Sequence, residues 1–444
     1  MNARPALSTV LGCFVLAACS TDLDPTSGRL TISRGREADA FTATPVPARM
    51  VLTMRVGTTA PTTVADVAWP ATDLDLGQLS SSSSYSFAAE LRDGSGAVLL
   101  RGETPSVSGS EIGSAGLDLL VGRAGLTTRP TAGLVHEWPT ARAAALGRYV
   151  FVASPDTATS ELYDFAALSS LTTGTSLTRR PLSMASGDGT HVVLIDASGA
   201  TNLDVFDGTS ADATLGTATA ADLAGGLTIL GDDGAYIVGA TRSGGAPTRA
   251  VVRIGNDGTI TPLSLSVPRA GAAATWSPGA GLVVIGGAGD VTCEVLAAGA
   301  SGFTMLGPVV SGSGGAALGL GDGTVVLVGG IDGSGAPRGS LRVPLACGAT
   351  CATTAAGTAK DLASGEGFAG AAGRGLLVGS TKDGHTVALR VTSQGADLSI
   401  DDVPLRVPRS GAAAATLGDG YAAIMGGVDA NGAAVLDIEV FTPL

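Results

Sequence analysis

One short pattern of apolar and small residues recurs along the chain: a run of small residues, a turn, four apolar residues, then Gly-Gly or another small pair. The clearest copies are PRAGAAATWSPGAGLVVIGG (268–287), SGGAALGLGDGTVVLVGG (313–330) and PRSGAAAATLGDGYAAIMGG (408–427). Weaker copies start at residues 141, 183, 225 and 367. The last apolar residue of each copy serves as a landmark: Val152, Ile195, Val238, Ile285, Val328, Val378 and Met425, spaced 43 to 50 residues apart. A polar loop and one further strand-like segment follow each copy, from SELYDF and TNLDVFD to TVALRV and LDIEVF.

A repeat of this length and pattern predicts one four-stranded sheet per copy, stacked around an axis as propeller blades. The small-residue run is the innermost strand, where sheets converge and large side chains do not fit. Gly187-Asp188-Gly189, Gly321-Asp322-Gly323 and Gly418-Asp419-Gly420 are hairpin turns that need positive φ. Consecutive apolar residues in the next strand, such as Val283-Val284-Ile285, suit a strand covered on both faces. The last copy ends with its third strand at the C-terminus, so the segment GLVHEWPT (133–140) is expected to supply a fourth strand and close the ring, removing a free edge.

The double Gly after the second strand and the lead-ins Pro268-Arg269 and Pro408-Arg409 resemble the kelch repeat; Pro139 with Arg142, and Arg180-Pro181, match more loosely. The resemblance covers residues 130–444 and implies an all-β fold with a seven-bladed kelch-like β-propeller. Few of the repeat's aromatic positions are kept, chiefly Phe165, Phe206, Phe441 and Trp138, and the third and sixth copies are the most degenerate.

Before the ring, Val51–Val56 and Tyr85–Arg92 alternate apolar and polar residues, and Asp93-Gly94-Ser95-Gly96 turns the second of these into Ala97–Leu100. Another strand is expected at Leu117–Val121, and Ser80–Ser84 reads as a loop. Residues 41–125 are therefore expected to form a small β-sandwich-like domain, a spacer or accessory unit.

The N-terminus reads as an address. Arg4 precedes a short apolar stretch from Leu7 to Ala18, the pattern of a secretory signal too short to span a bilayer stably. Leu16-Ala17-Ala18-Cys19 resembles a bacterial lipobox, which implies cleavage after residue 18 and acylation (palmitate) of Cys19, with residues 19–40 a lipidated polar tether. Two or more acyl chains hold a protein on a membrane where one does not. Ser20 after the Cys fits an outer-membrane lipoprotein by the enteric sorting rule. The expected location is the bacterial cell envelope, lipid-anchored. No later segment carries 18 uninterrupted apolar residues, so the membrane contact is expected through the lipid anchor only.

Composition adds three points. Gly fills 66 of 444 positions, about twice the usual share, and the repeat accounts for much of it. The mean hydropathy of +0.36 is explained by strands covered on both faces. The net charge of −13 disfavours nucleic-acid binding. Cys347 and Cys351 are close enough in sequence for a local disulfide in an oxidising compartment; a redox or metal pair is the rival reading, weak without further Cys or His nearby. Cys293 is left as a buried lone thiol.

No catalytic constellation emerges. His136, His191 and His385 are scattered and read as structural, and no P-loop, nucleophile elbow or metal-ligand spacing is present, so no cofactor is expected. What remains is recognition by rim loops after the double Gly, which carry Arg242, Arg249, Asp332, Arg338, Asp429 and Asn431. The expectation is a non-enzymatic scaffold for an unidentified protein or glycan; the alternative is an enzyme acting on cell-surface carbohydrate at the propeller face.

Overall fold

The computed structural model describes residues 26–171, 176–242, 244–288, 292–309, 312–347, 351–370, 373–395 and 397–444. The signal segment and Cys19 lie outside the described residues. The fold is all-β and propeller-like. Among the described residues, seven four-stranded antiparallel sheets accompany one three-stranded and one six-stranded sheet near the N-terminus. No helix of the described residues is long and apolar enough to cross a membrane.

The innermost strands of the seven sheets are Arg142–Leu146, Ser183–Ala185, Leu227–Gly231, Ala273–Ser277, Ala316–Gly319, Ser364–Ala369 and Ala413–Gly418. Each pairs with a second strand, and all seven landmark residues fall on those second strands, from Val152 in Tyr149–Ala153 to Met425 in Tyr421–Met425. The third and sixth sheets, whose sequence copies are weakest, still have all four strands. In them, cross-strand pairing survives the loss of aromatic markers because the main chain supplies it.

Seven hydrophobic clusters join the sheets in a ring, each shared by two neighbours. Phe151 of the first sheet meets Met184 and Leu194 of the second, and the next five clusters repeat the arrangement sheet by sheet. The seventh cluster brings Met425 and Val440 of the last sheet against Val152 and Tyr163 of the first. Val325, Val326, Leu327 and Val328 are all 1% exposed or less. A strand buried on both faces thus needs no polar alternation, which is the pattern read in sequence. Close approach between sheets also fixes particular glycines. Gly426 has φ +69, and a Cβ there would lie 2.7 Å from the Ala141 Cβ of the first sheet, so only Gly suits that corner.

Closure does join the two chain ends, but through a different segment from the one expected. Thr127–Thr128 pairs with Phe441 and Val440 as the outermost strand of the last sheet. Residues 133–140 form turns and irregular chain. Trp138 there is 1% exposed and donates its ring N–H to Glu161 at 3.0 Å, so GLVHEWPT wedges between first and last sheets instead of pairing.

The N-terminal segment also enters the fold earlier than expected. The tether expected over residues 19–40 contains the strand Thr26–Ser33, which lies between Asp73–Leu79 and Leu117–Leu120 in the three-stranded sheet. Leu30 and Ile32 are buried and share one core with Leu52, Phe87, Leu91 and Leu119 of the two N-terminal sheets. Its short apolar alternation was hidden by polar neighbours. The expected hairpin is present, with Ser84–Arg92 paired to Val98–Glu103.

Candidate binding site

The inner strands surround a lumen that is divided into two chambers. The larger, about 820 Å³, lies toward the turns between inner and second strands, where Asp232, Pro278, Asp322 and Asp419 form the mouth. The smaller, about 270 Å³, lies toward the beginnings of the inner strands and includes Arg142. Ala143, Thr228, Glu366 and Ala414 line both chambers and so form the waist between them. A cleft of the larger chamber's size suits a small molecule or the tip of a larger ligand.

Glu366 stands out because of its position in the repeat. It pairs with the landmark Val378. The residues paired with four other landmarks are alanines: Ala143, Ala273, Ala316 and Ala413. Ser183 and Leu227 take this place in the second and third sheets, so Glu366 puts a carboxyl where the other sheets carry small or aliphatic side chains. Burial pushes its pKa up to about 8, although the Thr228 main chain and the Arg142 charge both act to lower it. The Arg142 guanidinium is held by the Leu182 and Ala141 carbonyls, at 3.0 and 2.9 Å, toward the smaller chamber.

The larger chamber's walls combine apolar and acidic groups. Ile229, Leu230, Trp276, Leu320 and Phe368 supply apolar surface. Leu230 is 46% exposed. Trp276 stacks on Tyr236, ring centroids 5.9 Å apart, and packs over Gly231, where a Cβ would collide with its six-membered ring at 2.5 Å. Among the described residues, the Trp276 ring N–H has no acceptor. Among the described residues, the charged ones lining this chamber are Asp232, Asp322, Glu366 and Asp419, without Arg, Lys or His. Asp322 is paired with Arg342 at 2.7 Å, and Asp419 faces Arg55 at 3.8 Å.

The N-terminal sheets flank this mouth. Glu103 lies beside Asp419; burial, the Asp419 charge and a hydrogen bond with Asp419 push its pKa up to about 7, while Arg55 opposes the shift. Arg148 bridges Glu111 and Asp164 at 3.0 and 2.9 Å, fastening the same unit to the first sheet.

The loop residues singled out in sequence lie toward the other end of the lumen, past the ends of the second strands. Asp332 accepts from the Ser334 and Ala336 main-chain N–H groups, and Asp429 does the same for Asn431 and Ala433. Both are turn-forming carboxylates. Arg338 is 5% exposed and donates to the Gly314 carbonyl at 2.8 Å; burial lowers its pKa to about 10. Arg242 reaches the Ala221 and Ala246 carbonyls. Arg249 and Asn431 are exposed. The structure thus does not gather these six into one site. Cys347 and Cys351 are joined by a disulfide, Cα–Cα 5.1 Å, and the Cys293 thiol is buried, its pKa pushed up to about 12 by desolvation.

The sequence reading missed Glu366 because the sixth copy was taken from Gly367 onward. Counting back from Val378 by the offset that links Val328 to Ala316 would have placed the Glu inside the inner strand.

No family model matches the chain, and no curated protein matches it. Among solved structures, it is similar to a fungal alcohol oxidase of the AA5 family in complex with copper, at TM-score 0.43 and 19% identity over 58% of this chain and 62% of the oxidase. The match therefore spans less than two-thirds of that enzyme's length. A streptogramin B lyase is similar at TM-score 0.42 and 11% identity, over 69% of this chain and 95% of the lyase. Among the described residues, no group of three or more His, Cys, Asp or Glu is placed to hold a metal ion.

Proposed function

We propose that this chain is an envelope lipoprotein, lipidated at Cys19, whose seven four-stranded sheets form a seven-bladed kelch-type propeller. It works as a non-enzymatic scaffold that recognises a protein or glycan ligand at the lumen mouth. The observation that carries this reading is the larger chamber. It is a preformed cavity of about 820 Å³, walled by aromatic and aliphatic side chains and edged by carboxylates, held on rigid strands. The N-terminal β-structure is the spacer that sets the ring off from the lipid, in the outer membrane.

Two experiments test the reading. Cys19→Ser should move the protein from the membrane fraction to the soluble one; unchanged membrane retention sinks the anchor. In-cell cross-linking and a glycan array should give partners whose binding is lost when Ala145→Trp fills the larger chamber; retained binding by that variant moves recognition elsewhere.

A further inference from the structure

A carboxyl at the axis is costly to keep. Burying an ionisable group in a site poor in hydrogen-bond donors disfavours its charged form. Glu366 lines both chambers at the waist, and burial there pushes its pKa up to about 8 although Thr228 and Arg142 act to lower it. A ligand that brought a positive charge to the waist would relieve it. The approach from the larger chamber is suited to such a ligand. Among the described residues its lining holds four carboxyl groups and no basic side chain, and two of them, Asp322 and Asp419, already face arginines outside the lining. Asp232 stands at the mouth, and Glu366 lines the floor with Arg142 on the smaller-chamber side of the waist. Between them lie Ile229, Leu230, Trp276, Leu320 and Phe368. Apolar walls leading to a desolvated carboxyl are complementary to a body of carbon with a cation at its end. An anion would meet the Asp232 charge at the mouth and would hold Glu366 in its neutral form, and a neutral apolar molecule would gain nothing from the carboxyl's ionisation.

We propose that the larger chamber binds a small organic cation, an ammonium group on an apolar body, with the ammonium against Glu366 at the waist and the body against Leu230, Trp276, Leu320 and Phe368. The proposal rests on the reading of the lumen mouth as the recognition surface and specifies the chemistry it accepts. Arg142, on the smaller-chamber side of the waist, is the other charged group acting on Glu366. Its guanidinium is tied to carbonyls on that side, which leaves the approach from the mouth to the ammonium.

The test uses the full chain in detergent and three probes of one shape: cyclohexylammonium, cyclohexanol and cyclohexanecarboxylate, titrated calorimetrically at pH 7. The expected order is cation first, with the alcohol at least about tenfold weaker, a gap of about 1.4 kcal/mol, and the carboxylate weaker still. Titration in buffers of different ionisation enthalpy should show a proton released as the ammonium binds. Glu366→Gln should remove the preference for the cation and leave the alcohol's affinity unchanged, while Asp322→Asn should keep the preference. Equal binding of the three probes, an unchanged cation preference in Glu366→Gln, or no binding of the cation each overturns the proposal. If cross-linked partners or array glycans still bind wild type and Glu366→Gln alike, the scaffold reading stands and the cation site alone falls. If the cation binds but Ala145→Trp leaves partner binding intact, the reverse holds.

Discussion

Carboxyl groups sit inside this ring in two regions, and the two treat them differently. Within the sheets, Glu294 and Arg269 are both 0% exposed and 3.0 Å apart. Glu294 also accepts from the Ser266 N–H at 2.6 Å, and Arg269 donates to the Gly286 and Thr292 carbonyls. The last sheet repeats the device with Arg409 and Glu439, 2.7 Å apart and again fully buried, and with the Arg406 and Val407 N–H groups. In the first sheet Glu161 takes the same kind of main-chain donors, from Val135 and His136, and Trp138 replaces the arginine. At the axis, Glu366 has the Thr228 main chain and the more distant Arg142 charge, a smaller set of partners. Carboxylates that hold the fold are saturated with hydrogen bonds, whereas the one at the waist is left short, the condition under which a group is available to a ligand.

The saturated pairs carry the largest expected effect. Glu294→Ala should cost about 3–5 kcal/mol, because it strands the Arg269 charge in the interior. Replacing both partners by Arg269→Met with Glu294→Leu should recover most of that loss, since no charge is then left unpaired. Chemical denaturation of the three proteins checks both, and an equal loss in the single and double variants would show that the arginine acts through its other contacts.

A smaller effect, with a pH signature, is expected at the axis. The folded pKa of Glu366, about 8, is raised from 4.5. The unfolded chain therefore ionises first. The neutral carboxyl's contribution is complete below pH 4.5 and is lost as the pH rises to 8. Glu366→Gln should match wild type in acid and become more stable above pH 8, by on the order of 1 kcal/mol once water in the lumen is allowed for. Thermal melts across this range check it; parallel curves would mean that Glu366 is as well satisfied as Glu294.

The smallest effect is expected at the joint between the N-terminal sheets and the ring. Glu103 is raised from 4.5 to about 7, so its neutral form supports contact with Asp419 in acid, and that support is lost as the pH passes 7. Arg55 faces the pair, and Glu90 and Arg101 lie around the adjacent Tyr421. Hydrogen exchange over residues 98–103 should quicken above pH 7 in wild type and change less in Glu103→Gln, with a difference below about 1 kcal/mol because the pair is partly exposed.

The repeat made most of the ring legible. Landmarks such as Ile285 and Val328 are buried between sheets and carry no polar obligation, so periodicity alone places them. The Pro-Arg lead-ins were visible, but their meaning was not: Arg269 and Arg409 acquire it from glutamates 25 and 30 residues away. The closing strand was misplaced because Trp138 gives residues 133–140 a strand-like look, whereas Thr127–Thr128 is only two residues long and is defined by its partner. The binding reading shifted for a related reason. Loop residues such as Asp332 are conspicuous in sequence because turns need them, and Glu366 was hidden inside a run of small residues.

The pairing of Thr127–Thr128 with the C-terminal strand has a consequence for biogenesis. Thr127 donates its hydroxyl to Glu439, a contact between residues 312 positions apart. Contacts of such sequence separation form late, because a long loop must close before they give any return. A ring sealed in this way cannot be completed until residues 439–441 are available to pair with residues 127–128. Up to that moment Val440 and Phe441 lack their outer partner and the apolar cluster between the first and last sheets stands open, the state most prone to aggregation or proteolysis. Loss of residues 439–441 therefore removes the latch between those two sheets.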